Sequence, residues 1–390
     1  VPSGFFRAPG APQTNFAVES HNDLLAKALD MDPAEFRLKN IIEDGEENAV
    51  GERQQEVKAR DALQAALDAF GWKRGKRGSN TGRGIAIYDR HVGSGPTGAA
   101  LVAGANGTIT IISPTFDQGV GAHTVLRQIV AKEFELSMDR VEVVVGDTDT
   151  APKDCGSGAM RVTNIAGTAV LQAAGDLKEQ LASHAAEILE CPVEEIVHRG
   201  EKFWPREDPR QALTMGDIVK RGGQDGILQV TANVNPKGRR DITCYSAQIA
   251  EVKVDAETGQ FRVTRFVTSH DVGTIINPIT HQGQIEGGLM QGIGMAIMEE
   301  VRIEEGRVLT TNMGDYKVPT IADVPELVTA LVHSNVGPGP YGAKAIGEMA
   351  NNSPIAAIAN AVADAVGSRA YELPITSDQV FRALKENTGS

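Results

Sequence analysis

The sequence predicts an α+β protein of mixed α/β architecture, on three observations. Residues 1–72 carry helical patterns only, residues from 85 onward alternate period-two apolar runs with amphipathic stretches, and glycine-rich loops fall where strands meet helices. Taken in order, a periodic run from about Asn15 to Leu29 reads as the first helix. Asp32-Pro33-Ala34-Glu35 then has the form of a capping box with proline at N1, opening a short helix through Lys39. A third runs from about Arg60 to Phe70. The stretch KRGKRGSNTGRG, Lys73 to Gly84, is basic, glycine-rich and without apolar period, and reads as a linker.

Beyond it the character changes. GTITIISP follows an Asn106-Gly107 turn and alternates as a half-buried strand, and VEVVVGDTDT is a strand entering a loop, with an amphipathic helix between them from Thr124 to Phe134. The run AEVKVDAETGQFRVTRFVTS predicts a hairpin turning at Glu257-Thr258-Gly259. In GQIEGGLMQGIGMAIMEE, Gly283 to Glu300, glycines pair at four-residue spacing. Each interior helical glycine costs roughly 1 kcal/mol against alanine, so the set requires either close backbone packing or bare amides near an anion. Ser353-Pro354 opens an alanine-rich helix that ends at Gly367. There is no internal repeat.

At 390 residues the chain is too long for one ordinary core, so two domains, or two halves sharing a site, are expected. No stretch is long and apolar enough to span a bilayer, and no signal-peptide pattern opens the chain. Val1 stands where a methionine would begin a complete chain, so processing or a longer polypeptide is expected. A net charge of -13 argues against nucleic acid as a partner. Cys155, Cys191 and Cys244 lie far apart with no CxxC, which removes a zinc ribbon, an iron–sulfur site and a disulfide framework. The eight histidines include no HExxH, so any metal must bring its own ligands.

Three glycine-rich loops could carry chemistry. FDQGVGAHT, Phe116 to Thr124, leads into a helix, with His123 and Thr124 as candidate donors. CGSGAMRVTN, Cys155 to Asn164, has small residues and one arginine, a composition suited to cradling phosphate with a guanidinium behind. GPYGAKAIGE, Gly339 to Glu348, ends on a carboxylate after three glycines and a lysine, either a surface turn with a solvated acid or a ligand site faced by that acid. No GxxxxGK[ST], no placed GxGxxG and no GxSxG is present, which disfavours a nucleotide-binding ATPase, an ordinary dehydrogenase and a serine hydrolase. A large, glycine-lined anionic ligand and a lone glutamate are left.

In order along nearly the whole chain, these segments resemble the C-terminal half of the molybdopterin-binding large subunit of the xanthine dehydrogenase and aldehyde oxidase family, the molybdenum hydroxylases. SGFFRAPGAPQ resembles the family's FRGFGxPQ segment and GVGAHT its GQGxHT loop. GDTDTAP leading to GSGAMRVT, then INPITHQGQIEGGLMQGIG, NMGDYKVPT and GAKAIGE follow in the family's order. The family's upstream half, with its GGxFG segment, is absent from this chain.

The resemblance implies a mixed α/β molybdopterin-binding fold with the cofactor at the interface of two domains. Residues 1–72 would be the helical remainder of the first cofactor-binding domain, 73–84 a linker and 85–390 the second domain. The molybdenum would be held by the pterin dithiolene, with no direct protein ligand, the pterin being in the cytosine dinucleotide form. By motif position its contacts would be Arg7, Gly119, Val120, Gly121, Ser157, Gly158, Ala159, Met160, Arg161, Thr163, Gln284 and Gly347, with Ala159 beside the metal. Glu348 would be the catalytic base in hydroxylation of an aldehyde or aromatic N-heterocycle with water-derived oxygen. Electrons would leave through iron–sulfur clusters and FAD on partner chains. The implied partners are the upstream half, an iron–sulfur subunit and an FAD subunit, in the cytoplasm or, as the alternative, the periplasm. The competing expectation is a non-catalytic fragment or assembly module without cofactor.

Two positions depart from the family pattern. Val120 stands where many members carry a glutamine, and Pro9 where xanthine-oxidising members place a phenylalanine in the substrate pocket, which makes purines the least favoured substrates. Asp315, Tyr316 and Lys317 read as framework.

Overall fold

The structure is a computed structural model that describes residues 4–73, 78–237, 242–334 and 336–388. Three helices come first: α1 (Ala11–Ala28), α2 (Pro33–Asn40) and α3 (Ala59–Phe70). Helix α1 starts earlier than its apolar period suggests, because Gly10 in the left-handed region and Pro12 in the first turn set its entry. Asp32 caps α2, accepting from the amides of Ala34 and Glu35, and also takes the indole N–H of Trp72.

Strand β1 (Thr81–His91) begins inside the stretch expected as a linker, whose residues 74–77 lie outside the described residues. It is followed by β2 (Thr97–Gly104), β3 (Ile109–Ser113), α4 (Ala122–Glu133), β4 (Val141–Val145) and the long α5 (Val162–Leu189). The strands β5 (Ile196–Arg199), β6 (Lys202–Pro205) and β7 (Leu213–Thr214) form a small sheet ahead of α6 (Met215–Gly222) and β8 (Ile227–Val234). Then come β9 (Thr243–Val254), β10 (Phe261–Asp271), α7 (Pro278–Ile297), a short hairpin of β11 (Ile303–Glu304) and β12 (Arg307–Val308), α8 (Met313–Tyr316) and β13 (Glu326–Val332). Helices α9 (Met349–Asn352), α10 (Pro354–Val366) and α11 (Ser377–Thr388) close the chain.

Two four-stranded sheets organise these elements. The first has the order β1-β9-β10-β13, with β10 and β13 parallel and the other pairs antiparallel. Its inner strand β9, half of the expected hairpin, is covered on both sides. Ala250 and Val252 pack with Phe266 against Leu289, Ile293 and Ile358 of α7 and α10, while Ile249 and Val267 meet Leu63, Leu67 and Phe70 of α3. The helices of residues 1–72 thus share a core with the sheet that follows them. The second sheet, β4-β3-β2-β8, is covered by α4, α5 and α6 through Leu126, Ile129, Val170, Leu177 and Ile218.

The glycines of α7 divide by face. A Cβ on Gly288 would meet Ala350 Cβ at 3.0 Å and one on Gly292 would meet Pro354 Cγ at 2.5 Å, whereas Gly283 and Gly287 face open space. Close packing explains the first pair only. Tyr316 donates to Glu299 Oε2 at 2.7 Å, a framework contact.

The tightest approach joins β1 to α10. A Cβ on Gly82 would fall on the carbonyl oxygen of Ala361, and one on Gly84 on that of Ala357, so the helix rests backbone to backbone on the strand. These backbone atoms cannot rotate aside, and overpacking costs about 1–3 kcal/mol. We expect Gly84→Ala to lower the urea midpoint by at least that amount. Gly175→Ala, on an exposed turn of α5 with nothing within 4 Å, should be neutral or gain roughly 0.5–1 kcal/mol. Equal effects would contradict the packing account.

Candidate cofactor and substrate site

Loops from both sheets and the N-terminal segment line one cavity of about 880 Å³, within the size range of ligand pockets. It gathers the expected Arg7, Pro9, Val120, Ser157, Gly158, Ala159, Met160, Arg161, Thr163, Gln284, Gly347 and Glu348, although Pro9 and Glu348 are 339 residues apart in sequence. Gly119 and Gly121 flank Val120 without lining the wall themselves.

Arg7 locks three of these segments together. Its Nε donates to Gly347 O at 2.6 Å, its Nη2 to Gln284 O at 3.2 Å and Oε1 at 3.1 Å, and its own carbonyl accepts from Asn351 at 3.0 Å. Burial draws the Arg7 pKa below its ordinary value, and the nearby Glu348 carboxylate opposes that shift.

The loop before α5 is shaped by backbone strain and by one side chain. Ala159 and Met160 both adopt positive φ, 47° and 58°, and Gly156 has φ 81°. Arg161 was expected to stand behind a phosphate. It instead donates to the carbonyls of Gly156 (2.8 Å), Ser94 (3.4 Å) and Cys155. Drawing carbonyls to the guanidinium holds the loop in one shape and leaves small residues on the cavity wall. A Cβ on Gly158 would meet nothing within 4 Å, and the buried Ser157 Oγ has no partner.

The loop before α4 also departs from expectation. The amides of Gly119, Val120 and Gly121 all donate to Asp117 Oδ1, at 2.9, 2.9 and 3.1 Å, so these donors already hold a carboxylate of the chain itself. His123, a candidate donor, lies with Nε2 3.0 Å from the Thr115 carbonyl and does not line the cavity. Gln284 Nε2 reaches Gly119 O at 3.4 Å, which ties this loop to α7.

The loop carrying Glu348 is anchored by its lysine. Lys344 is fully buried, pairs with Asp271 and donates to Thr243 O at 3.2 Å. Gly342, at φ 80°, makes the turn that only glycine enters without strain. Glu348 is 13% exposed, which removes the solvated-turn alternative. Its Oε2 lies 2.7 Å from Arg90 Nη2, near the end of β1, yet makes no aligned hydrogen bond there.

Arg90 was not anticipated from sequence, and neither were Phe5, Phe6, Val92, Gln118, Ile275 and His281, all on the wall. A charge alternating along a strand looks like any solvated strand residue, so only the fold brings Arg90 to Glu348. Burial pushes the His281 pKa down to about 4, so this ring is neutral near pH 7, and its Nε2 has no partner.

The donor set fits an anionic pterin group. Three arginines and one carboxylate line the cavity of a chain whose net charge is -13, while the Lys344 side chain turns away to Asp271. Ser157 Oγ, Asn164 Oδ1 and His281 Nε2 are buried polar atoms without partners on its wall. Among the described residues no group of histidine, cysteine, aspartate and glutamate could hold a metal ion directly. No described helix is long and apolar enough to cross a membrane.

Comparison with known proteins agrees with this geometry. A family model described as molybdopterin cofactor-binding domain matches residues 54–325, and a second of the same description matches residues 1–41. The putative xanthine dehydrogenase molybdenum-binding subunit of Escherichia coli K12 is 32% identical over 97% of this chain and 53% of its own length. Subunit gamma of the 6-hydroxypseudooxynicotine dehydrogenase complex of Paenarthrobacter nicotinovorans is 30% identical over 98% of this chain and 51% of its own. The crystal structure of quinoline 2-oxidoreductase from Pseudomonas putida 86 superposes with a TM-score of 0.88 at 27% identity, over 99% of this chain and 53% of that one. The expected mixed α/β architecture is therefore the observed one, and the chain spans about half the length of the curated relatives it matches. The chain belongs to the molybdopterin cofactor-binding domain family, among the molybdenum-binding subunits of the xanthine dehydrogenase and aldehyde oxidase type.

Proposed function

We propose that the chain is the molybdenum-cofactor-binding catalytic portion of an oxidoreductase that hydroxylates an aldehyde or an aromatic N-heterocycle with water-derived oxygen. The observation that carries this is a cationic, glycine-lined cavity with unpartnered buried polar atoms in an acidic chain, holding a single carboxylate, Glu348. When bound, the molybdenum–pterin group supplies the redox metal and activates the oxygen to be transferred.

The chain's residues divide the remaining work. Ser157, Gly158, Ala159, Met160 and Thr163 form the bare loop on which an anionic cofactor would lie, with Arg161 fixing its shape. Arg7, Gln284 and Gly347 form the opposite clamp, and the loop of Gly119, Val120 and Gly121 borders it with Asp117 holding its amides. The cytosine dinucleotide form is the one proposed, on the resemblance of these loops to those of the family's bacterial members. Glu348 accepts a proton at a carboxylate oxygen, and the apolar Val92, Ile275 and Ile346 keep its surroundings poor in water. Pro9 borders the substrate space. Purines are the least favoured substrates because Pro9 offers no ring to stack against. Residues 1–72 are proposed as the end of a first cofactor domain and 85–390 as the second; the two family matches are likewise separate, although the second already begins at residue 54. Because the chain covers about half of its relatives, the other half would complete the cleft, with iron–sulfur and FAD subunits as the electron acceptors and the cytoplasm as the location.

Three outcomes are expected. The chain expressed alone should contain little molybdenum, and co-expression with the missing half and partner subunits should restore stoichiometric metal. Full loading of the isolated chain would contradict the shared cleft. In the assembled enzyme, Gly158→Val should fill the open cradle, lowering molybdenum and pterin content several-fold while the melting temperature holds. An unchanged cofactor content would remove Gly158 from the cradle.

Glu348→Gln keeps the shape of the side chain but cannot accept the proton, so reduction by substrate should slow by about 10²–10⁴-fold at wild-type cofactor content. Stopped-flow bleaching of the iron–sulfur absorbance reports this rate. A near wild-type rate with full cofactor would remove Glu348 from the chemistry.

A further inference from the structure

The cations on the cavity wall are not equivalent. Arg7 is held by Gly347 O and by both the main-chain and side-chain oxygens of Gln284. Arg161 is held by three loop carbonyls, and Lys344 is buried against Asp271. Arg90 differs from all three. Its side chain is 20% exposed and lies beside the Tyr88 hydroxyl, and its ion-pair partner is Glu348, touched at 2.7 Å without an aligned hydrogen bond.

This pair conflicts with the role proposed for Glu348. A carboxylate that takes up a proton no longer neutralises its guanidinium, and a largely buried guanidinium left without a counter-charge is costly. A second anion arriving at Arg90 would remove the conflict. Guanidinium has five donors in a planar fork that matches a carboxylate with two hydrogen bonds, better than the unaligned contact it now makes. The wall beside it is apolar: Val92, two residues further along the chain, and Ile275, Ile346 and Met160 would face a flat ring or an alkyl chain.

We propose that Arg90 is the subsite for a carboxylate substituent on the substrate, exchanging Glu348 for that group and so leaving Glu348 available as the proton acceptor. The substrate class is thereby narrowed to aromatic N-heterocycles or aldehydes that carry a carboxylate. This rests on the function proposed above for the role of Glu348, while recognition of the carboxylate by Arg90 does not require turnover.

The test is calorimetric titration of the assembled enzyme with nicotinate, a pyridine carboxylate, and with nicotinamide, its neutral amide, with molybdenum measured on every preparation. Wild type should bind nicotinate at least about tenfold more tightly, as expected for a charge-assisted pair. Arg90→Gln should abolish that preference while nicotinamide affinity stays within about twofold, and Arg90→Lys should restore part of it. Glu348→Gln removes the competing carboxylate and should tighten nicotinate binding, an outcome that a merely structural ion pair would not produce.

Equal affinity for the two ligands in wild type, a preference that survives Arg90→Gln, or weaker nicotinate binding in Glu348→Gln would each overturn the proposal. So would an Arg90→Gln enzyme that loses competition by inorganic pyrophosphate but keeps its nicotinate preference, since the arginine would then serve the cofactor. If Arg90→Gln does not fold, the Glu348→Gln titration decides alone. If the assembled enzyme carries no molybdenum in any preparation yet keeps the arginine-dependent preference, the hydroxylase reading falls and the carboxylate subsite stands.

Discussion

The architecture depends on a buried ion pair between the first two helices. Arg37 Nε lies 2.8 Å from Glu19 Oε2, with both side chains 1–2% exposed, and Arg37 Nη1 reaches Asp23 at 2.9 Å. The same Glu19 oxygen accepts the amide of Ile87 in β1 at 3.0 Å. Asn360 of α10 then donates to the carbonyls of both Glu19 and Ile85. Helix α1 presents a polar buried face of Asn15, Glu19 and Ser20, so these contacts, more than apolar burial, dock it to the sheet. Removing one partner of such a pair costs about 3–5 kcal/mol because the other charge stays buried. The consequence for function is positional. With α1 fastened to β1 and α10, the segment before it carries Arg7 and Pro9 onto the cavity wall.

A second constraint is how an acidic chain builds a cationic cavity. The charges that count are those whose counter-ions lie elsewhere or are main-chain dipoles. Arg161 is satisfied by carbonyl oxygens, which bear only partial charge, and Arg7 by carbonyl and amide oxygens. Both therefore leave most of a positive charge directed at the cavity, while Lys344 is neutralised by Asp271. The opposite case is the loop before α4, where Asp117 occupies the amides of Gly119, Val120 and Gly121. An anionic ligand passing that loop would meet a carboxylate rather than bare donors, so positive potential concentrates around Arg7 and Arg161, while Arg90 is paired with Glu348.

Much of this was legible in the sequence because it is local. Proline and glycine at helix ends, the period-two runs and the order of the glycine loops are set by neighbouring residues, and α2, α3, α4, β3, β4 and α10 fall close to where those signals put them. What the sequence hid depends on tertiary contacts. The start of β1 within a basic, glycine-rich stretch looked like a linker, because Gly82 and Gly84 serve the close approach of α10 more than 270 residues later. Arg161 was recognised as belonging to a ligand loop, yet its donors serve the loop itself, a distinction composition cannot make. Asp117 was a local signal overlooked, since an aspartate two residues before a glycine is a common acceptor for the amides that follow.

The acid at the end of Gly339–Glu348 shows why the bare backbone around it is needed. Three demands meet within ten residues: Lys344 must reach down to Asp271, Gly347 must present its carbonyl to Arg7, and Glu348 must face the cavity at the start of α9. A side chain at Gly342 would strain the turn at φ 80°, whereas a Cβ on Gly347 would meet only Met160 Cγ at 3.9 Å, an ordinary contact. Fixing the loop through its lysine and one carbonyl leaves the carboxylate with a single close ionic neighbour on β1. A rigid loop opposite a partly exposed arginine is therefore an arrangement in which the acid stays in place and its counter-charge can be exchanged.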